Sequence, residues 1–126
     1  MGYPRPLRCV IVDDSPLFAA AAAKLLDREG ITVVGVAFNS AEAMSRVAAL
    51  KPDVTLVDVY LGGESGFDLA EQLVSIASPV ILTSTHSEQE FADMITESSA
   101  LGFVPKVELS PEAIRRVFTD SATQPE

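Results

Sequence analysis

The sequence is poor in the residues that build disulfides and soft-metal sites. It holds 1 cysteine, Cys9, and 1 histidine, His86, in 126 residues. A single cysteine excludes an internal disulfide and a metal centre built from cysteines. Because Cys9 lies in an apolar run, we expect its side chain to be a small buried hydrophobe and not a reactive thiol.

Long apolar runs and leader patterns are lacking as well. No apolar run approaches the ~20 residues that a membrane-spanning helix needs. Segment 1–8 carries two prolines and two arginines with no apolar stretch behind them, which argues against a secretory signal. These features predict a soluble, cytoplasmic protein that makes no membrane contact.

Basic residues are scarce relative to acidic ones. The chain has 9 Lys and Arg against 18 Asp and Glu, a formal net charge of −9. Nucleic-acid-binding surfaces need Lys and Arg to neutralise phosphates, so we do not expect this domain to bind nucleic acid. The length fits one domain with a sizeable core. We predict an N-terminal extension over 1–6, the domain over 7–119, and a tail or linker start over 120–126.

Five apolar stretches alternate with five helical patterns. Strands are predicted at 7–12, 31–38, 54–58, 80–84 and 101–105. Helices are predicted at 17–28 and 40–50, and on the apolar spacings Phe67-Ala70-Leu73-Val74-Ala77, Phe91-Met94-Ile95 and Ala113-Ile114-Val117-Phe118. We expect a loop from Gly62 to Gly66 and a polar, fraying tail from Thr119 to Glu126. Buried strands separated by amphipathic helices indicate an α/β fold with a doubly wound, five-stranded parallel sheet in the order 2-1-3-4-5.

Polar side chains stand where these strands end. Asp13 and Asp14 follow the first strand, Asp58 and Ser84 end the third and fourth, and Lys106 follows the fifth. In the order 2-1-3-4-5 the first and third strands are neighbours where the strand order reverses, and ligands bind such sheets at that point. One acid alone would fit a helix N-cap. Three acids beside a lysine favour a site.

A cluster of acids needs a counter-ion. Like charges ~5 Å apart repel by roughly 3 kcal/mol at an effective dielectric near 20. Oxygen ligands without His or Cys suit a hard cation, and Mg²⁺ fits best. A carboxylate can attack phosphorus, and phosphoryl transfer needs in-line positioning and neutralised oxygens. We predict Mg²⁺ on Asp14 and Asp58, with Lys106 and the Ser84 hydroxyl as further partners. Asp58 is the predicted phosphoryl acceptor because it stands alone on the central strand.

These residues resemble the receiver domain of two-component response regulators. The resemblance runs from about Leu7 to Phe118 and rests on Asp13-Asp14, Asp58, Leu61 and Gly66 in the loop, Ser84 and Lys106. The segment from Gly102 to Lys106 also resembles receivers that carry a helix-turn-helix DNA-binding output domain.

The resemblance implies a flavodoxin-like fold and a phosphoryl switch that catalyses only its own phosphorylation and dephosphorylation. A histidine kinase or phosphotransfer protein would pass a phosphoryl group to Asp58. Asp14, Asp58 and the main-chain carbonyl of Tyr60 would hold Mg²⁺, and Asp13 would act through water.

The implied response to phosphorylation is a repacking of one surface. Ser84 would move toward the phosphoryl group and Phe103 would turn inward behind it. The surface made by the fourth helix, the fifth strand and the fifth helix would then shift between two states. An output domain or a homodimer would use that surface.

Three positions depart from the family pattern. Gly62 stands where the family usually has a proline, which predicts a more mobile loop. Val107 follows Lys106 where the family often has a proline in a cis peptide. A cis bond before Val107 would cost about 3–4 kcal/mol, so we expect a different loop geometry there. Phe103 lacks the hydroxyl of the commoner tyrosine, and packing alone would set its rotamer.

Tyr60 and His86 occupy positions at which, in the family, side chains tune hydrolysis of the aspartyl phosphate. Two bulky groups there predict a comparatively long-lived phosphorylated form. We do not expect phosphohistidine chemistry at His86, because it lies in a loop before a helix and lacks the context of a histidine kinase.

Two other functions stay open. A receiver-like interaction module would ignore phosphate, but it would have no physical need to bear the repulsion between the acids. A Mg²⁺-dependent phosphohydrolase often places a general acid two residues after its nucleophile, where this chain has Tyr60.

The chain could act alone through its switch surface, or be the receiver piece of a longer regulator with a linker from near Thr119. The apolar residues of the last two helices could form a dimer face, but core packing is favoured for Phe91, Ile95, Ile114 and Phe118.

Overall fold

The large sheet is built from the five predicted apolar stretches. In this computed structural model, residues 6–28, 30–76 and 78–123 are described; residues 1–5 of the predicted extension, Ala77, and residues 124–126 of the predicted tail lie outside the described part. The strands are β1 (Leu7–Val12), β2 (Ile31–Ala37), β3 (Val54–Asp58), β4 (Val80–Ser84) and β5 (Gly102–Pro105). Their order is β2-β1-β3-β4-β5, and each neighbouring pair is parallel. The predicted fold class and strand order are confirmed.

Five α-helices connect or follow the strands in the described part of the chain. They are α1 (Pro16–Asp27), α2 (Ser40–Leu50), α3 (Gly66–Ser75), α4 (Ala92–Glu97) and α5 (Pro111–Thr123). Polar side chains cap the first three. The Ser15 hydroxyl accepts the Phe18 amide, Asn39 accepts the Glu42 amide, and Ser65 accepts the Asp68 amide, which satisfies amides left over at each helix start.

The sheet separates two hydrophobic clusters, because successive strand residues point to opposite faces. Val10, Val12, Val57 and Leu82 lie in the cluster that also receives α2 and α3, whereas the residues Cys9, Ile11, Leu56 and Ile81 lie in the cluster that receives α1 and α5. Covering both faces explains why the strands read as unbroken apolar runs. Cys9 is fully buried and unpaired, as expected, and burial raises the pKa of its thiol to about 12.

The glycine-rich stretch after β3 is a short hairpin, where the sequence predicted a mobile loop. Strands Tyr60–Leu61 and Glu64–Ser65 pair antiparallel around Gly62 and Gly63, whose φ angles are 53° and 95°. Positive φ at both central residues matches a type I′ turn, which suits two-residue hairpins. Two-residue strands are too short to show an alternating pattern, so the sequence did not reveal the hairpin.

Three other boundaries differ from the prediction. Phe91 ends a 3₁₀ turn (Glu88–Phe91) before α4, and a second 3₁₀ turn (Lys106–Glu108) follows β5. Helix α5 continues to Thr123, past the predicted end near Phe118. A polar stretch gives no apolar pattern to reveal a helix, yet each added residue of a formed helix gains a backbone hydrogen bond.

The apolar residues of the last two helices pack inside the domain. Phe91 and Ile114 are buried, and Ile95 and Phe118 are partly buried against the same clusters, as core packing requires. Among the described residues, no helix combines the length and the apolar character needed to cross a membrane.

Candidate functional site

The carboxyl ends of β1, β3, β4 and β5 place the predicted polar residues at one edge of the sheet. Asp58 pairs with Thr83 across β3 and β4, and Ser84 pairs with Pro105 across β4 and β5. Strand order reverses between β1 and β3, since the chain runs from β1 outward to β2 and returns to β3. The acids therefore meet where such sheets form a crevice.

Three carboxylates and one ammonium meet at this edge. Ligand oxygens of Asp13, Asp14 and Asp58 lie within 4.8 Å of one another. Lys106 Nζ lies 2.7 Å from Asp13 Oδ2 and 3.0 Å from Asp58 Oδ2. Asp13 and Asp58 are buried, whereas Asp14 is exposed. The predicted acids and the lysine are thus brought together.

Burial and hydrogen bonding act in opposite directions on the pKa values here. Burial raises the pKa of Asp58 above its ordinary value, although the Tyr60 amide and Lys106 both donate to this carboxylate and oppose the rise. Burial lowers the pKa of Lys106, but its contacts with Asp13 and Asp58 outweigh burial and the pKa is raised. The lysine is therefore held charged, while the Asp58 carboxylate bears an unfavourable environment.

The donor set fits a hard divalent cation. The cluster offers carboxylate oxygens, and the buried Asp13 Oδ2 accepts no aligned hydrogen bond from the described residues despite its ionic contact with Lys106. The single ammonium of Lys106 cannot balance three carboxylates, so the cluster still favours an added cation. Oxygen-rich sites that leave room for water suit Mg²⁺. The main-chain carbonyl of Tyr60 stays a predicted ligand.

The structure explains why Gly62 stands where the family usually has a proline. A Cβ atom at Gly62 would lie 3.1 Å from Asp14 Oδ2, and the φ of 53° is closed to proline, whose ring holds φ near −65°. The hairpin therefore approaches an acid of the site through a residue without a side chain.

Ser84, His86 and Tyr60 form a group beside Asp58. The buried Ser84 hydroxyl accepts the His86 amide at 3.1 Å and lies 3.5 Å from His86 Nδ1. The rings of Tyr60 and His86 meet edge to face with centroids 5.6 Å apart, and Tyr60 is 55% exposed. The two residues predicted to flank the phosphoryl group are neighbours on the rim of the site.

Phe103 is already buried in this structure. Its ring lies 6.2 Å from the Phe91 ring, and Phe91 also contacts Tyr60, His86 and Phe67 at 5.8–6.0 Å. Phe103 is therefore packed against Phe91 in this structure, and its turn on phosphorylation stays a prediction. A contiguous aromatic group links the rim at Tyr60 to the segment that leads into α4.

Two contacts were not predicted from the sequence, one at the site and one between α3 and the segment after α4. The Phe18 ring lies 4.1 Å from Lys106 Nζ. Glu71 on α3 accepts hydrogen bonds from Ser98 and Ser99 after α4. Phenylalanine in an amphipathic helix is typical of a core position, and an acid on an exposed helix face is typical of solubility, so no sequence signal distinguished them.

The loop at Lys106 differs from the cis arrangement of the family. Among the residues that the structure describes, every peptide bond is trans. The chain enters a 3₁₀ turn at Lys106, and Val107 is 89% exposed. Lys106 nonetheless reaches Asp58, so the proline that the family places after its lysine is not required for this contact.

The family model of the response regulator receiver domain matches residues 9–118. This chain is a response regulator receiver domain. The receiver is 32% identical over 123 residues to the "Probable transcriptional regulatory protein NarL" of Mycobacterium tuberculosis, covering 94% of this chain and 57% of that relative. It is 30% identical over 104 residues to the DNA-binding transcriptional activator EvgA of Escherichia coli K12, covering 81% and 51%. The chain spans about half the length of the curated relatives it matches.

Solved structures give the same family and fold. The signal receiver domain of the response regulator NarL from Mycobacterium tuberculosis superposes with a TM-score of 0.81 at 29% identity, covering 96% of this receiver and 100% of that chain. The response regulator domain of Thermotoga maritima CheB superposes with a TM-score of 0.79 at 22% identity, covering 96% and 100%. The second likeness supports the fold alone.

Proposed function

We propose that this receiver is a phosphoryl-accepting switch with Asp58 as the acceptor. The observation that carries the proposal is the placement of Asp58 at the end of the central strand, 3.0 Å from Lys106 Nζ and beside Asp13 and Asp14. Mg²⁺ held by Asp14, Asp58 and the Tyr60 carbonyl, with Asp13 through water, would neutralise charge on the phosphoryl oxygens.

The transfer needs little covalent chemistry from the protein. A carboxylate oxygen of Asp58 attacks phosphorus in line, the O–P bond forms, and the P–N bond to the donor histidine breaks, leaving the imidazole to take up a proton. Lys106 turns its ammonium from the Asp58 carboxylate to a phosphoryl oxygen, and the Ser84 hydroxyl donates a hydrogen bond to another. A histidine kinase or phosphotransfer protein is the proposed donor.

The proposed readout is the surface made by α4, β5 and α5. In the described structure α4 has no buried residue, and Phe91 in the preceding turn packs against Phe103 on β5. A shift of Ser84 would change the packing of this aromatic pair and with it the position of α4. An output domain of a longer regulator, or a second copy of the chain, is the proposed user of that surface. We assign this domain no contact with nucleic acid or membrane.

Intact-mass measurement tests the proposed acceptor. The chain is incubated with Mg²⁺ and acetyl phosphate, with Asp58→Asn, Asp93→Asn and a chelator as parallel arms. We expect the mass of one phosphoryl group on the parent and on Asp93→Asn, and none on Asp58→Asn or with chelator. No gain on the parent would favour the phosphate-independent interaction module, and steady turnover of phosphate esters would favour the hydrolase.

We further propose that Tyr60 and His86 lengthen the life of the aspartyl phosphate. Their rings lie against each other, and the Tyr60 amide donates to the Asp58 carboxylate, so the two rings would restrict the approach of water to the phosphoryl group. We expect the double substitution Tyr60→Ala with His86→Ala to speed the loss of the phosphoryl group about tenfold, a cost of roughly 1.4 kcal/mol in the hydrolysis barrier. Decay of the phosphorylated mass after donor removal measures this rate, and an unchanged rate would contradict the role.

A further inference from the structure

The ammonium of Lys106 is enclosed on three sides. Two are the carboxylates of Asp13 and Asp58, at 2.7 and 3.0 Å, and the third is the face of the Phe18 ring, 4.1 Å from Nζ to the centroid. The Lys106 side chain is only 12% exposed. An ammonium carries three N–H groups, and here the ring takes one of the directions that water would otherwise occupy.

Phe18 is placed there by a rigid element. Helix α1 begins directly after the acids, with Pro16 in its first turn, and the Ser15 hydroxyl accepts the Phe18 amide at 3.2 Å. The ring also packs against the hydrophobic cluster beneath α1 and α5, which restrains its orientation. The aromatic face is thus fixed relative to Asp13, and the Lys106 ammonium lies over this face.

An aromatic face stabilises a nearby ammonium more than an aliphatic group of similar size does. Both exclude water, but only the ring attracts the cation through its quadrupole. Because the ring can neither accept the proton nor form an aligned salt bridge, it favours the position of Nζ without competing with the carboxylates for its N–H groups.

We propose that Phe18 is a positioning residue for Lys106, which holds the ammonium beside Asp58 so that it meets the charge of an incoming phosphoryl group. This inference rests on the proposed phosphoryl switch. The competing explanation is that Phe18 only fills the core, in which case any apolar residue of similar volume would serve.

Three variants separate the two explanations. Phe18→Leu keeps an apolar side chain but removes the ring, Phe18→Tyr keeps the ring, and Phe118→Leu removes a ring from the same hydrophobic cluster on α5. Phosphorylation is followed by intact mass at several acetyl phosphate concentrations with Mg²⁺, and the rates are corrected for the folded fraction from circular dichroism.

We expect Phe18→Leu to lower the maximal rate of phosphorylation about threefold to tenfold, the range of a cation–π contact that is partly shielded from water. The half-saturating donor concentration should stay within about twofold, because the ammonium acts mainly as charge develops on the transferring group. Phe18→Tyr and Phe118→Leu should keep the parent rate. A parent rate in Phe18→Leu, or an equal loss in Phe18→Tyr, would overturn the inference.

A spectroscopic measurement tests the position of Lys106 without phosphorylation. A proton above an aromatic face is shifted upfield, so the ε-methylene signal of Lys106, assigned with Lys106→Arg, should lie upfield of those of Lys24 and Lys51. The shift should vanish in Phe18→Leu and persist in Phe18→Tyr. If the parent accepts no phosphoryl group, the proposed function fails, and the chemical shift of Lys106 alone then decides whether Phe18 positions Lys106. The inference would be overturned if the Lys106 ε-methylene signal had the same chemical shift in Phe18→Leu as in the parent.

Discussion

The Asp58 carboxylate is repelled by the neighbouring acids of the site. Three acids lie close together, Lys106 contacts two of them, and burial raises the pKa of the Asp58 carboxyl above its ordinary value. The folded chain therefore binds a proton at Asp58 more tightly than the unfolded chain does. The contribution of Asp58 to the free energy of unfolding falls as pH rises from the ordinary carboxyl pKa through the raised one, and it stays lost at neutral pH.

Asp58→Asn should accordingly stabilise the chain in Mg²⁺-free buffer near neutral pH. We expect a gain on the order of 1 kcal/mol in the free energy of unfolding, since one of three close like charges is removed while Lys106 keeps Asp13 as a partner. The gain should shrink as pH falls through the raised pKa of Asp58, and it should be lost well below the ordinary carboxyl pKa of about 4, where the parent carboxyl is protonated in both states. Urea unfolding near neutral pH and well below the ordinary carboxyl pKa measures this gain in the free energy of unfolding.

Added Mg²⁺ provides the control for that prediction. The cation should stabilise the parent more than Asp58→Asn, because a ligand that binds only the folded state adds to stability by mass action. A variant that is less stable than the parent without Mg²⁺ would show that the pair with Lys106 outweighs the repulsion among the acids.

At the residue scale, the sequence predicted those contacts that follow from strand ends. Asp13, Asp58 and Lys106 each stand next to a buried apolar run, and parallel strands bring such residues together. The position of Phe18 over Lys106 was not predictable, because it depends on how α1 and the turn after β5 pack across the sheet. The burial of Phe103 against Phe91 depends in the same way on packing between elements.

Among the elements, the junction of β3 with α3 tolerates no side chain. A Cβ atom at Gly66 would lie 2.0 Å from the main-chain oxygen of Asp58 and 2.8 Å from Val59 Cα. The Gly66 amide donates to the Val59 carbonyl at 2.7 Å. The start of α3 therefore lies directly against the strand that carries the acceptor.

Gly66→Ala should destabilise the domain by about 2–4 kcal/mol, because backbone atoms on both sides must move apart. Gly63→Asn in the preceding hairpin is the control: nothing lies within 4 Å of its Cβ position, and asparagine tolerates positive φ best after glycine. We expect the control to cost less than about 1 kcal/mol. Equal losses by urea unfolding would contradict the close approach.

Glu71 on α3 holds the segment that follows α4, and α4 itself has no buried residue. This exposed carboxylate accepts the Ser99 amide at 2.8 Å, the Ser99 hydroxyl at 2.8 Å and the Ser98 hydroxyl at 3.3 Å. The hydrogen bonds from Ser99, followed by that from Ser98, lower the pKa of Glu71. Its contribution to stability is present above the ordinary glutamate pKa and is lost as pH falls through the lowered one.

Glu71→Gln should loosen the segment after α4 while leaving the sheet intact, since an amide accepts these bonds more weakly than a carboxylate. We expect the Ser99 amide proton to exchange several-fold faster with solvent, with little change in the amides of β3. Glu97→Gln on the same surface is the control. Hydrogen exchange followed by NMR checks this, and equal protection of Ser99 in the parent and Glu71→Gln would contradict it.

The elements themselves divide into those with strong patterns and those without. The strands and the helices α1, α2 and α3 follow from apolar spacing and capping residues that the sequence displays. The Tyr60–Ser65 hairpin and the two 3₁₀ turns span two to four residues per element, too few for a periodic pattern, and they surround the site. Short irregular elements concentrate there because the chain must place the polar side chains of the site at the carboxyl edge of the sheet.

For the whole molecule, the sheet order follows from the sequence because right-handed crossovers and two covered faces leave few arrangements. The same order predicts where the fold is most stable. β1, β3 and β4 each have a neighbour on both sides, whereas β2 and β5 lie at the edges. We expect the slowest amide exchange in β1, β3 and β4, approaching the rate set by global unfolding. Exchange at β2 as slow as that at β3 would contradict it.

The hydrogen bond that the Ser84 hydroxyl accepts from the His86 amide has a consequence for signalling fidelity. Under the proposed function, the Ser84 hydroxyl moves toward the phosphoryl group, and this movement would stretch or break the hydrogen bond from the His86 amide. Whatever free energy holds it at rest keeps the unstimulated output low, and about every 1.4 kcal/mol of bias lowers the background population tenfold. The same free energy is subtracted from the response, so this contact contributes to the ratio of signal to background.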